Sequence, residues 1–430
     1  MERKQLIKQI LLDWQQSISE QKLFQRESYI PPLSQKYITT LTGPRRAGKT
    51  SVLRLLAHKH TTTNPKSPAL YINFEDERLE NTTEELSLIL DCYRELYPDA
   101  APASQAFFFD EIQIVPNWEK FLRRCHESER AYIAVTGSNS KALSSDIATS
   151  LRGRTINAEI LPLSLKEYLQ LKGFKESQPL NSRNNAKAAL LIKEFLTFGG
   201  FPDIVLESDP HVKRILLQEY FQVMILRDLV ERFKIQQVYT LKYFLKRLLA
   251  SAARPLSINK IYLELKSSGH KISKDQLYEF LDHAESVYFA RRLEQYSKKT
   301  VNRQLGERKI YPIDNGYLWA ILGNLDLTKS LEVAVWFELF SRKSEISYFK
   351  SKKECDFITT NSSGTSSAIQ VAYSLEDKET KKREFSGLSE ACSSLGLKSG
   401  KIITLEQDGD SRSDGLSINI SSFMRFAVKH

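Results

Sequence analysis

The sequence predicts an α/β protein with a parallel sheet covered by helices on both faces. Helical segments and a smaller α/β unit follow. Three observations predict it. Over residues 36–160, short apolar runs alternate with stretches of helical periodicity, the pattern of strands joined by crossover helices. A glycine-rich turn links the first of those runs to the first helix. After residue 330, an amphipathic helix bearing Glu332 precedes three short strands, one of which carries Asp356.

Taken in order, Met1 to Glu20 is charged and amphipathic and lacks the apolar core and cleavage site of a signal peptide. Lys36–Thr42 reads as a buried strand and Ser51–His58 as a helix with an apolar stripe. Between them stands Gly43-Pro44-Arg45-Arg46-Ala47-Gly48-Lys49-Thr50, which fits G-x-x-x-x-G-K-[ST] at every fixed position. Glycines let the backbone curl so that its N–H groups face a polyphosphate, and the helix N-terminus adds its partial positive charge there. Residues 43–50 and Ser51 are thus the expected nucleotide cradle. Lys49 is expected on the β- and γ-phosphates and Thr50 on Mg²⁺.

Ala69–Glu75 is the next strand, Asn81–Leu96 a helix and Pro98–Ser104 a loop. Ala106-Phe-Phe-Phe-Asp110-Glu111 is an apolar run closing in two carboxylates. At the end of a buried strand beside the phosphate loop, Asp110 is expected to hold Mg²⁺ and Glu111 to polarise the attacking water. Ala131–Gly137 is a further strand, expected between the loop and the Asp110 strand. It ends in Ser138-Asn139-Ser140, where Asn139 or Ser138 either senses the γ-phosphate or caps a helix. Leu151-Arg152-Gly153-Arg154 precedes the strand Thr155–Ile160. Arg154 first, then Arg152, is the candidate cationic finger, in cis or from a neighbouring subunit; the alternative is a surface arginine in a turn.

These segments together resemble the prokaryotic AAA-type ATPase family. They are residues 43–50, Tyr71–Arg78, Phe109–Gln113, Trp118–Leu122, Thr136–Ser140, Leu151–Arg154, Leu161–Ser164 and Phe198–Pro202. The likeness runs nearly the whole chain, in order. Members carry a winged helix and a C-terminal domain of unknown function. The resemblance implies ATP, rather than GTP, as the nucleotide.

Residues 161–238 read as a helical lid, with helices at Ser164–Leu171, Ala186–Phe198 and Leu216–Phe233. Arg227-Asp228 in the last reads as a local ion pair or a nucleotide sensor. Residues 239–320 read as a winged helix-turn-helix. Its helices are Leu241–Ala252, Ile258–Lys266 behind Ser257, and a third opened by Ser273 with Gln276. Strands Val287–Glu294 and Lys309–Ile313 flank a basic loop holding Lys298, Lys299, Arg303 and Arg308. From 240 to 310 there are 15 Lys and Arg against 7 Asp and Glu. That excess fits an anionic partner such as DNA, or a solvated basic face. The acids of the third helix, Asp275, Glu279, Asp282 and Glu285, repel a duplex. DNA contact is therefore expected to be backbone-dominated and weakly specific.

Residues 321–430 form the last segment. Glu332 on a helix, Asp356 on a strand and Gln370 on another follow the carboxylate spacing of the restriction-endonuclease-like fold, making Glu332 and Asp356 a possible second metal pair. The third carboxylate is an amide, Gln370, and the lysine expected at the site is Ala372. A degenerate, binding domain is therefore expected rather than a nuclease. Lys378–Arg383 is a basic run.

Composition narrows the classes. Of 430 residues, 41% are hydrophobic and 27% charged, ordinary for a globular chain of two or three domains. No stretch approaches a membrane-spanning length, so no membrane partner is expected. Cys92, Cys125, Cys355 and Cys392 are far apart, which fits a reducing cytoplasm and no zinc site or disulfide framework. The expectation is an ATPase, with ATP and Mg²⁺ at the first site, coupled to DNA. Two alternatives stand beside it: a nucleotide-driven switch that binds a protein partner, and an ATP-regulated nuclease. Oligomeric state is open.

Overall fold

The computed structural model describes residues 2–21, 23–27, 30–137, 153–174, 182–297, 307–323, 326–361, 364–413 and 415–428. The chain folds as two compact units, 1–161 and 162–430. The segments expected at 161–238, 239–320 and 321–430 fall in the second.

The first unit is a five-stranded sheet of β1 (Ile38–Thr42), β2 (Leu70–Asn73), β3 (Ala106–Asp110), β4 (Tyr132–Thr136) and β5 (Thr155–Glu159). The order is β2-β3-β4-β1-β5 and every pairing is parallel. Helices α1 (Arg3–Glu20), α2 (Lys49–Thr63), α3 (Thr83–Leu96) and α4 (Trp118–Ser128) accompany it. Two hydrophobic clusters show that both faces are covered. One joins Phe107 and Phe109 to Ile7, Leu86 and Phe121; the other joins Phe108 to Leu41, Val52 and Leu53. Successive side chains of a strand point to opposite faces, so the run Phe107-Phe108-Phe109 fills both cores at once. That is why β3 reads as continuous apolar sequence rather than as an alternation. Thr82 opens α3 by accepting from the Glu85 N–H, two residues later than the apolar periodicity suggested.

In the second unit, α5 (Leu165–Leu171), α6 (Ser182–Phe198), α7 (Pro202–Leu206) and α8 (Pro210–Val223) come first. The continuation of α8, Met224–Glu231, is wound as a π-helix, a wider turn that no propensity signals. There Arg227 is exposed and Asp228 buried. Next are α9 (Val238–Ala250), α10 (Ile258–Ser267) and α11 (Lys274–Ser286), then the antiparallel pair β6 (Ala290–Leu293) and β7 (Lys309–Pro312). A capping box of Ser273 and Gln276 starts α11. The first strand of the pair is shorter than Val287–Glu294 because Tyr288 turns into the left-handed region, φ 60°, which ends extended backbone. Lys298, Lys299 and Arg303 lie outside the described residues.

Helices α12 (Gly316–Leu322) and α13 (Leu327–Ser341) lead into a six-stranded mixed sheet. Its strands are β8 (Glu345–Lys350), β9 (Glu354–Thr360), β10 (Ser366–Val371), β11 (Ser399–Thr404), β12 (Gly409–Ser413) and β13 (Leu416–Ser422), in the order β12-β13-β11-β10-β9-β8. Between β10 and β11 runs α14 (Lys378–Leu395), which packs on β9, β10 and β11. The run Lys378–Arg383 is its first turns. At Gly387 the helix passes so close to β9 that a Cβ would sit 2.3 Å from the Glu354 carbonyl oxygen. A short helix, α15 (Phe423–Val428), ends the described chain.

Candidate functional site

The phosphate loop leaves the C-terminal end of β1 and enters α2 at Lys49. Three left-handed residues shape it: Gly43 (φ 145°), Arg46 (φ 65°) and Gly48 (φ 95°). Gly43 also meets a steric limit, since a Cβ there would lie 1.9 Å from the Ile160 carbonyl oxygen. Only glycine satisfies both demands. Lys49 is buried and its Nζ donates to the Gly43 carbonyl at 3.1 Å and the Pro44 carbonyl at 2.9 Å. The ammonium is thereby held under the loop at the helix N-terminus. Arg46 and Ser51 are exposed, Ala47 buried, and Arg45 half-buried.

Asp110 ends β3, with β4 between it and β1. The arrangement brings Thr50 and Asp110 together across sixty residues, with the Thr50 hydroxyl donating to Asp110 Oδ1 at 3.2 Å. Thr136, at the end of β4, also donates to Oδ1, and its own hydroxyl accepts from the Glu111 N–H at 3.0 Å. Asp110 is fully buried. Burial pushes its carboxyl above the ordinary carboxylate range against the bonds from Thr136, Tyr71 and Thr50. Glu111 is in the left-handed region at φ 53°, an uncommon state for a residue with a side chain and one that clusters at working sites. Its carboxylate accepts from Gln113 Nε2. A carboxylate and a hydroxyl facing one another are oxygen donors suited to a hard divalent cation. On that chemistry Thr50 and Asp110 fit Mg²⁺.

Two partners of this site have no local sequence signal of that role, although Tyr71 opens one of the segments that carry the family resemblance. Tyr71 on β2 donates to Asp110 Oδ2 at 2.9 Å, and Arg54 Nε donates to the Tyr71 oxygen at 3.2 Å. Arg26, buried, donates to the Ala47 carbonyl within the loop and the Leu161 carbonyl, each at 2.8 Å. Tyr71 sits in an apolar run and reads as core. Arg26 precedes β1 in a stretch without periodicity.

The expected finger is placed otherwise. Arg154 stands just before β5, and its carbonyl accepts from the Ile38 N–H at the start of β1. That is the N-terminal end of a parallel sheet, opposite the phosphate loop, and its guanidinium pairs with Glu127. The fold does not bring Arg154 to the loop of its own chain. Arg152, Ser138 and Asn139 lie outside the described residues.

The AAA domain family matches residues 35–169, and a domain of unknown function, DUF8612, matches 190–328. The uncharacterized protein MJ1544 of Methanocaldococcus jannaschii is 35% identical over 418 residues, covering 95% of this chain and 91% of that one. The chain belongs to this AAA-domain family. An uncharacterized protein of Haemophilus influenzae is 27% identical over 367 residues, 83% of this chain and 88% of its own. Among solved structures, the Walker-type ATPase PABY2304 of Pyrococcus abyssi overlaps 70% of this chain and 99% of its own, at 15% identity and a TM-score of 0.42. Among the described residues, no helix is long and apolar enough to cross a membrane.

A second polar centre lies in the second unit of this AAA-type ATPase. Glu332 and Asp356 are brought together there, but around a lysine. Lys309 Nζ on β7 lies 2.7 Å from Glu354 Oε1, 3.4 Å from Glu332 Oε1 and 3.5 Å from Asp356 Oδ1. The Tyr311 hydroxyl donates to Glu332 Oε1 at 2.7 Å. Asp356 Oδ2 accepts from the Val371 N–H at 2.9 Å, and Gln370 Nε2 donates to Glu384 at 2.6 Å. The expectation of a centre without a lysine is corrected. Position 372 is alanine, and the ammonium comes from the strand pair some sixty residues upstream, which no local spacing reveals. Burial raises the carboxyls of Asp356 and Glu332. Burial acts downward on Lys309, yet Glu332, Asp356 and Glu354 outweigh it and keep the ammonium charged.

Proposed function

We propose that this chain binds and hydrolyses ATP at the loop of residues 43–51 and couples that cycle to DNA. The observation that carries the reading is the Thr50 hydroxyl 3.2 Å from Asp110 Oδ1, two oxygen donors at the N-terminus of the loop helix. Lys49 would hold the β- and γ-phosphate oxygens, with the loop N–H groups of 43–50 around them. Thr50 and Asp110 would hold Mg²⁺, whose positive charge offsets that of the phosphates. Glu111, set at φ 53° with its N–H bonded to Thr136, would orient and deprotonate the attacking water. The Thr136 hydroxyl ties the two carboxylate residues together, donating to the Asp110 carboxylate and accepting from the Glu111 N–H. Asn139 or Ser138 remains the proposed sensor, and Arg154 is proposed as a finger only toward a neighbouring subunit.

DNA as the partner rests on the order α9, α10, α11, β6, β7, which fits a winged helix, and on the basic excess from 240 to 310. ATPase rates with and without duplex DNA, at two salt concentrations and with Lys49→Ala as control, test it. Stimulation that fades with salt supports coupling. An unchanged rate with no DNA binding removes it. One observation favours the second reading, a switch that binds protein. The exposed face of α11 presents Asp275, Tyr278, Glu279 and Asp282, an acidic and aromatic surface unsuited to a duplex.

A further inference from the structure

A cleft of about 880 Å³ in the second unit is bordered by residues that include Glu332, Glu354, Asp356, Gln370, Arg383 and Glu384. Acids in a cleft suit a divalent cation, and the restriction-endonuclease-like spacing that Glu332 and Asp356 follow in the sequence would imply one. The residues present do not fit it. Asp356 has one oxygen on the Val371 N–H and the other facing Lys309. Glu332 Oε1 is taken by Tyr311 and Lys309. The Gln370 carbonyl oxygen turns to the Asp356 N–H at 3.3 Å, and its amide nitrogen to Glu384. Among the described residues, no group of three or more His, Cys, Asp or Glu is arranged to hold a metal.

We propose that Lys309, buried against three of the carboxylates that border this cleft, is their built-in cation and keeps divalent metal out. Three carboxylates converge on one ammonium within 3.5 Å, and the lysine side chain is only 2% exposed. A divalent ion entering among them would meet that positive charge at close range. The lysine and the acids come from different elements. Glu332 is on α13 and Glu354 and Asp356 are on β9. Lys309 is on β7, which pairs with β6 and takes backbone hydrogen bonds at Arg308 and Ile310 from Leu256 and Ala253.

The test is Mn²⁺ binding to the full nucleotide-free chain, followed by electron paramagnetic resonance. Four proteins are compared: wild type, Asp356→Asn, Lys309→Met and the double variant, with nucleotide binding by the first unit and circular dichroism as folding controls. Wild type and Asp356→Asn should be indistinguishable. Lys309→Met should gain one site at least tenfold tighter than anything in wild type, and the double variant should lose it. Lys309→Arg, which keeps the charge, should stay without it. A wild-type Mn²⁺ site that Asp356→Asn abolishes overturns the proposal, as does a folded Lys309→Met that gains none. If Lys309→Met does not fold, Lys309→Gln takes its place in the comparison, and a folded neutral variant that gains no site overturns the proposal.

Discussion

The Tyr71 hydroxyl donates to Asp110 Oδ2 at 2.9 Å, so the carboxylate is turned with Oδ1 toward Thr50 and Thr136. One phenol on β2 thereby sets the orientation of the acid on the neighbouring strand β3. Tyr71→Phe keeps the ring and removes that bond. Hydrolysis should fall about tenfold, the worth of roughly 1.5 kcal/mol for a hydrogen bond to a charged group. The Mg²⁺ concentration for half-maximal rate should rise. Steady-state rates over a Mg²⁺ titration check this, and an unaltered titration would remove Tyr71 from the site.

Lys49→Ala should lower ATP hydrolysis about a hundredfold or more, by analogy with the loss of a preorganised charge at a reacting centre. Thermal unfolding without nucleotide should change less than hydrolysis does, because Lys49 bonds loop carbonyls rather than the core. Phosphate release and a melting curve on the same sample separate the two.

Glu111→Gln should keep nucleotide binding and lose hydrolysis by about a hundredfold, within the range of a general base. The backbone bond from its N–H to Thr136 survives the change, so binding measured by calorimetry should match wild type. A variant that neither binds nor hydrolyses would show that Glu111 holds the fold rather than the water.

Gly43→Ala should destabilise the first unit by about 2 kcal/mol or more, since the new Cβ lies 1.9 Å from the Ile160 carbonyl oxygen and overpacking of this kind costs about 1–3 kcal/mol. The conformation adds to the cost, as φ is 145°. Urea unfolding measures it, and nucleotide binding should weaken in parallel.

Stability should depend on pH through Glu338. This buried carboxyl accepts from the Leu165 N–H at 2.7 Å, and burial pushes it up from 4.5 to about 7. The native state therefore holds the proton more tightly than the unfolded chain does. The contribution is complete below about pH 4.5 and is lost as pH rises toward 7. Asp314, also buried and pushed up to about 7, acts in the same direction. Urea midpoints between pH 4.5 and 7.5 should fall with rising pH for these groups, and Glu338→Gln should flatten the trend. An equal slope in that variant would assign the effect elsewhere.

Much of the first unit was legible in the chain. The loop motif, the apolar run before Asp110 and the strand ending at Thr136 are local patterns, because a phosphate cradle and a buried strand each need particular residues at short, fixed spacing. The parallel sheet followed from their alternation, and so did a strand lying between loop and acid. Partnerships across long separations were not legible. Tyr71 reads as core until β2 is laid beside β3. Arg154 reads as a finger until parallel pairing puts the start of β5 at the far end from the loop. Lys309 reads as the first residue of a strand until β7 is folded against α13 and β9, where its ammonium meets acids contributed by two other elements. Sequence determines which residues can do chemistry, since that depends on residue type and local backbone. Only the tertiary structure decides which of them meet, since a charge acts over a few ångströms of space whatever its distance along the chain.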